Sequence, residues 1–151
     1  SMKLIGSEIG AMGMGIPAGI AAAIRYPDRQ VFSLVGDGGA LMTGSELATA
    51  VAQKAKIRVI VANNEHYGTI RYHQELHFPS REHYATNLVN PDFAKYGESF
   101  GLECFTIEKV EEIIPTLKKA MKVDGPSLIE FKMSLELNTS TTTITQLQMN
   151  K

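Results

Sequence analysis

The sequence predicts an α/β domain with three layers, α/β/α, around a mainly parallel sheet. Strand-like and helix-like segments alternate about every 25 residues, the mark of βα units. The apolar runs "VFSLVG" and "IRVIVANN" show no polar alternation, as expected of strands covered on both faces. Each run also ends in polar or glycine residues, in "SLVGDGGALM" and "VIVANNEHYG". A carboxylate or an amide has no place inside such a strand. In parallel sheets, however, ligands gather outside the strands' carboxyl ends.

The elements follow in order. Pro17 suits the first turn of a helix, where its missing N–H would be unpaired anyway, and "PAGIAAAIRY" continues that helix up to Pro27. Residues 31–36 are the first strand. Residues 43–55 carry Leu47, Val51 and Ala55 at helical spacing, and 57–64 are the second strand. Residues 67–75 read as a short helix and 81–90 as a loop. Asn90-Pro91-Asp92 opens a helix that Gly101 closes. "LECFTI" is a third strand, and "VEEIIPTLKKAMK" is an amphipathic helix with Pro115 implying a kink or a later start. "SLIEFKM" is a fourth strand, and the polar, Thr-rich tail from Leu137 is expected to lie over the surface or to fray.

Bulk properties narrow the class. With 151 residues the chain, 1–151, is read as one domain with one core. A net charge of −1 without basic stripes argues against nucleic acid, and no apolar run reaches membrane-spanning length. The start lacks a secretory pattern, and Ser1 ahead of Met2 reads as a cloning remnant. The lone Cys104, inside an apolar run, is expected to be a buried, inert thiol; with no partner for a disulfide, a reducing, cytoplasmic location is expected.

The rim chemistry suits one kind of ligand. Asp37 offers an anionic oxygen and Asn64 a neutral one, a donor set that suits Mg²⁺ completed by phosphate oxygens and water. Gly38 and Gly39 present bare N–H groups to an anion at a helix entry. Together they would hold a Mg²⁺-bridged diphosphate. "GxxxxGK[ST]" is absent. "GDGGAL" has Leu41 where a dinucleotide fingerprint needs its third glycine, and "GAMGMG" has the wrong order and no preceding strand. His73 and His77 are spaced like a metal pair but lack a third ligand at suitable spacing.

Gly36-Asp37-Gly38, then 24 residues (39–62), then Asn63-Asn64 resembles the thiamine diphosphate motif. "GAMGMGIPAGIAAA", "NNEHYGTIRYHQE", "NPDFAKYGESFG" and "GPSLIEF" are similar to segments of acetolactate synthase and related 2-oxo acid decarboxylases, and the likeness runs from Gly10 to Thr145. The resemblance implies that Mg²⁺ is bound by Asp37, the Asn64 side chain and the backbone carbonyl of His66. It assigns the diphosphate to the Gly36-Asp37-Gly38-Gly39 turn and to N–H groups near Tyr67 and Gly68. Gly39 stands where family members often carry Ser, so one hydroxyl contact is lost. Met12 matches the bulky residue that bends the cofactor so that its 4′-amino group meets the thiazolium C2. The Gly10 carbonyl would accept from that amino group, and the Met12 N–H would donate to the pyrimidine. Asn63 is expected to fix the loop, and the His66 ring to face solvent or substrate.

The same resemblance implies what is missing. The carboxylate that activates the cofactor belongs to a pyrimidine-binding domain of a partner subunit; Glu8, Glu46 and Glu65 do not match it. No catalytic residue is therefore assigned to this chain, which alone is expected to be inactive. The expected whole is a homo-oligomeric thiamine diphosphate-dependent lyase or transferase that decarboxylates a 2-oxo acid, with or without carboligation. FAD, where such an enzyme carries it, would sit on a middle domain absent here. The chain reads as a domain excised from a larger enzyme; a natural small subunit of a split decarboxylase and a non-catalytic module that keeps the fold are the alternatives. An isolated domain should expose Met14, Met42 and Tyr67, and should tend to dimerise or to have disordered loops over residues 65–90 without cofactor.

Overall fold

The computed structural model describes residues 6, 10–78, 82–136 and 143–149. It has four parallel strands, β1 (Val31–Gly36), β2 (Ile57–Asn63), β3 (Glu103–Ile107) and β4 (Ser127–Lys132), in the order β1-β2-β4-β3. The helices are α1 (Gly15–Arg25), α2 (Asp37–Thr43), α3 (Leu47–Ala52), α4 (Gly68–His77), α5 (Phe93–Ser99), α6 (Ile113–Ala120) and α7 (Ile144–Met149). Helices α1 and α5 cover one face of the sheet and α6 the other, which is the expected three-layer α/β/α arrangement.

The main core lies on the α1/α5 face. Ile16 and Ile20 of α1, Leu47, and Ile57, Val59 and Val61 of β2 are all buried there with Phe93 and Leu128. The spacing of Ile16, Ile20 and Ala23 gives α1 one apolar stripe. Close backbone approach fixes its seat: a Cβ on Gly15 would lie 2.3 Å from Val35 Cγ1, and one on Gly19 would lie 2.6 Å from Ile57 Cδ1. The smaller cluster of Ile107, Ala120 and Ile129 lies under α6, which begins after one turn of 3-10 helix. Pro115 is the third residue of α6, where no intrahelical N–H bond is lost, so the later start holds and no kink is needed.

Four sequence expectations are corrected. β1 is an edge strand covered on one face only, with Phe32 47% and Leu34 73% exposed, because α6 spans β3 and β4 and does not reach it. The helix expected over 43–55 begins at Asp37, directly after the strand, and is interrupted by a 3-10 turn at Gly44–Glu46. The Tyr96 ring fills the space there, 2.8 Å from where a Gly44 Cβ would stand. The tail forms α7, with Ile144 buried and Gln148 donating to Glu75 of α4 at 3.2 Å; residues 137–142 and 150–151 lie outside the described residues, as do Glu8 and Arg81. Of the side chains expected to be exposed, Met42 is, whereas Met14 and Tyr67 are half-buried.

Two helices end in the same way with different residues. The Leu102 N–H bonds to the Gly97 carbonyl and the Gly101 N–H to Glu98, with Gly101 at φ +92°. At the end of α3 the Ala55 N–H bonds to Ala50 and the Lys54 N–H to Val51, but here Lys54 takes the left-handed position, at φ 49°. A side chain in that conformation costs about 1 kcal/mol relative to glycine. Lys54→Gly should therefore stabilise the protein by up to ~1 kcal/mol in denaturant unfolding.

Cys104 is half-buried, with its thiol 3.6 Å from the Leu102 carbonyl and against Gly97 of α5. Burial, with a smaller contribution from Glu98, pushes its pKa up to about 12. The reactive thiolate is therefore scarce at neutral pH. Alkylation by iodoacetamide at pH 8 should be at least ~100-fold slower than for a free thiol and should rise about tenfold per pH unit.

Candidate functional site

The parallel register brings three strand ends to one rim. Gly36 pairs with Ala62, and Asn63 pairs with Lys132. Asp37 follows immediately as the first residue of α2, because Gly36 stays extended (φ −73°, ψ 160°) and turns the chain from strand to helix. Beyond β2, Glu65 adopts φ 57° and its N–H donates to Asn63 Oδ1 at 3.2 Å, which reverses the chain into α4. A short antiparallel bridge, His66 with Asn87, straps this turn to the following loop. The Tyr67 N–H donates to the Thr86 carbonyl and the Leu88 N–H to Glu65, both at 2.8 Å.

Segments 10–15, 34–39 and 66–70 wall an open cleft of about 580 Å³. Gly10, Met12, Gly36, Asp37, Gly38, Gly39, His66, Tyr67 and Gly68 all line it, as the sequence suggested they would meet. Asn64 does not line it; it stands half-buried one residue beyond β2. Met12 projects into the cleft at 50% exposure. Gly38 is obligatory for space, since a Cβ there would lie 2.5 Å from the Tyr67 ring. At Gly39 the nearest atom to an added Cβ is the Gly13 nitrogen at 3.7 Å, an ordinary van der Waals contact, so space does not demand a glycine there.

Asp37 is the buried acid of the cleft, 2% exposed. Its Oδ1 accepts the Gly38 N–H and its Oδ2 accepts the Asn90 side-chain amide, each at 2.8 Å. Among the described residues no Lys, Arg or His forms an ion pair with it. A carboxylate buried without a protein counter-charge is costly, and a bound cation relieves that cost. The donor set therefore fits a divalent metal. No group of three His, Cys, Asp or Glu side chains converges among the described residues, so a metal here needs amide, carbonyl and phosphate oxygens beside Asp37.

Other expected roles change. The N–H groups of Gly38 and Tyr67 are engaged within the chain, by Asp37 and Thr86. His66, whose ring is expected to face solvent or substrate, does line the cleft. It is half-buried, its Nε2 meets the Arg71 guanidinium, and it stacks on His83 at 6.4 Å between ring centroids. Arg71 and His83 in turn flank the buried carboxyl of Glu75, each 3.9 Å away. His73 and His77 stack on each other at 5.6 Å. Asn63 does fix the loop as expected, through Glu65, and also donates to Glu130 Oε1 at 2.7 Å. Two residues of this site, Asn90 and Glu130, carry no chemical signal in the sequence.

A family model described as thiamine pyrophosphate enzyme, C-terminal TPP binding domain, matches residues 3–131. The chain belongs to this family. The domain is 35% identical over 133 residues to a Bacillus subtilis protein described as thiamine pyrophosphate-containing, covering 88% of this chain and 23% of that protein. It is 34% identical over 125 residues to the mitochondrial acetolactate synthase catalytic subunit of Saccharomyces cerevisiae, covering 83% of this chain and 18% of the relative. Among solved structures, a thiamine diphosphate-dependent 4-hydroxybenzoylformate decarboxylase of Rhodococcus jostii RHA1 superposes with a TM-score of 0.78 at 30% identity, over 83% of the domain and 24% of that chain. The domain thus spans under a quarter of the length of these relatives. Among the described residues no helix is long and apolar enough to cross a membrane.

Proposed function

We propose that this thiamine pyrophosphate-binding domain holds the diphosphate end of its cofactor through Mg²⁺, in an enzyme that acts on a 2-oxo acid. The observation that carries the metal is Asp37, buried at the cleft wall with no ion-pair partner among the described residues. Asp37, the Asn64 side chain and the His66 backbone carbonyl would bind the metal. With the Gly38 and Tyr67 N–H groups engaged elsewhere, the diphosphate role passes to those of Gly39 and Gly68. The missing side chain at Gly39 would let phosphate oxygens approach the backbone there. Met12, exposed in the cleft, would support the bent cofactor, and the Gly10 carbonyl would orient its aminopyrimidine.

The bound cofactor supplies an electron sink for decarboxylation. This chain supplies binding, orientation and one wall of the site. A carboxylate on a pyrimidine-binding domain of a partner subunit would complete it. The synthase and decarboxylase relatives support a 2-oxo acid as substrate.

The test is calorimetric titration of thiamine diphosphate into the intact enzyme, with Mg²⁺ and again with EDTA. Binding that requires the metal is expected. Binding of NAD in place of thiamine diphosphate would overturn the reading.

A further inference from the structure

We propose that Asn90 is a positioning residue for the metal-binding carboxylate of Asp37, an inference that rests on the reading above. Asn90 lies on the loop before α5, 53 positions from Asp37. Its Nδ2 spends both protons, one on Asp37 Oδ2 and one on Asn63 Oδ1, each at 2.8 Å.

The orientation of this bridge is fixed from below. A backbone N–H can only donate, so the Asn63 atom facing the Glu65 N–H must be Oδ1. That places Asn63 Nδ2 against Glu130 Oε1, at 2.7 Å. Asn90 must then offer its amide nitrogen, not its oxygen, to Asn63 and hence to Asp37. Glu130, from the middle of the sheet, is 1% exposed, and its Oε2 has no hydrogen-bond partner among the described residues. Asn90 Oδ1 is likewise buried without one.

Such a network is a poor way to stabilise a fold, because half-satisfied buried polar groups cost free energy. Its use is geometric. It ties the metal-binding carboxylate to β2 and β4, the two central strands of the sheet, before any cation arrives. Outer partners that orient a metal ligand typically change metal affinity 10–100-fold.

The experiment measures Mg²⁺ affinity of the intact enzyme by calorimetry at saturating thiamine diphosphate, for wild type, Asn90→Ala and Asn90→Leu. Leucine keeps the shape of asparagine without its donor, so it guards against a collapse of the loop in the alanine variant. Thermal unfolding in EDTA reports the fold separately. The expected result is a Kd for Mg²⁺ raised roughly 10–100-fold, an unfolding midpoint in EDTA close to wild type, and activity recovered at high Mg²⁺. An Asn90→Leu protein that folds and binds Mg²⁺ within about twofold of wild type, while Asp37→Ala does not bind it, overturns the inference and leaves the metal site standing. A wild-type enzyme that binds no Mg²⁺ overturns both.

Discussion

Asp37→Ala is expected to abolish Mg²⁺-dependent thiamine diphosphate binding in the intact enzyme while leaving its fold in place. Asp37 provides the anionic oxygen of the proposed metal set, and among the described residues no other acid lines the cleft. Loss of even an outer partner of a metal ligand costs 10–100-fold in affinity, so loss of the charged ligand itself should cost at least ~100-fold. The fold should survive because the carboxyl's own bonds are few: one to the neighbouring Gly38 N–H and one to Asn90. Removing a buried acid that has no ion-pair partner among the described residues also removes a desolvation cost. Calorimetry of cofactor binding, with circular dichroism of the same sample, checks both halves of this expectation. Cofactor affinity unchanged in the variant would contradict the assigned role.

Arg58→Ala is expected to do the reverse. Arg58 sits at the other end of β2, 1% exposed, and its guanidinium donates to the carbonyls of Ile57, Val123 and Gly125. It thereby fastens the turn between α6 and β4, whose Gly125 takes φ +142°. Burial lowers its pKa from the ordinary arginine value, with Asp124 and then Glu103 opposing that shift. It remains charged at neutral pH, and its truncation strands buried carbonyls and leaves a hole. Each orphaned acceptor costs about 1–3 kcal/mol, so a loss of roughly 3–5 kcal/mol is expected in denaturant unfolding. That is a large share of the 5–15 kcal/mol typical of a domain. Because the contacts lie at the amino ends of the strands, cofactor affinity of the protein that remains folded should stay within about twofold. Separate loss of binding in one variant and of stability in the other would show that the two ends of β2 do different work.

The legible parts of the site were those where a local pattern and the tertiary role coincide. An apolar run that ends in Gly36-Asp37-Gly38 or Asn63-Asn64 places its polar residues at a strand end by itself, and a parallel sheet does the rest. Asn90 was hidden because its surroundings already have a local explanation. Asp92 caps α5 by accepting the Lys95 N–H at 2.9 Å, so Asn90-Pro91-Asp92 reads as a helix start and nothing more. Glu130 was hidden inside "SLIEF", where one acid in a strand gives no hint of which face or partner it meets. The uncovered side of β1 was illegible for a different reason. Apolar runs are alike in centre and edge strands, and only the sheet order puts Phe32 and Leu34 beyond the reach of α6. The early start of α2 was masked by Gly38 and Gly39, poor helix formers that serve here because the Tyr67 ring leaves no room for a side chain at Gly38.

The central claim is that Asp37 and the cofactor's phosphates share one metal ion. Mn²⁺ substituted for Mg²⁺ in the intact enzyme makes that directly visible, through electron–nuclear double resonance to phosphorus. With thiamine diphosphate present, the account predicts bound Mn²⁺ with strong phosphorus coupling, and no such signal in Asp37→Ala. Bound Mn²⁺ without phosphorus coupling, or a coupled signal that persists unchanged in Asp37→Ala, would contradict it.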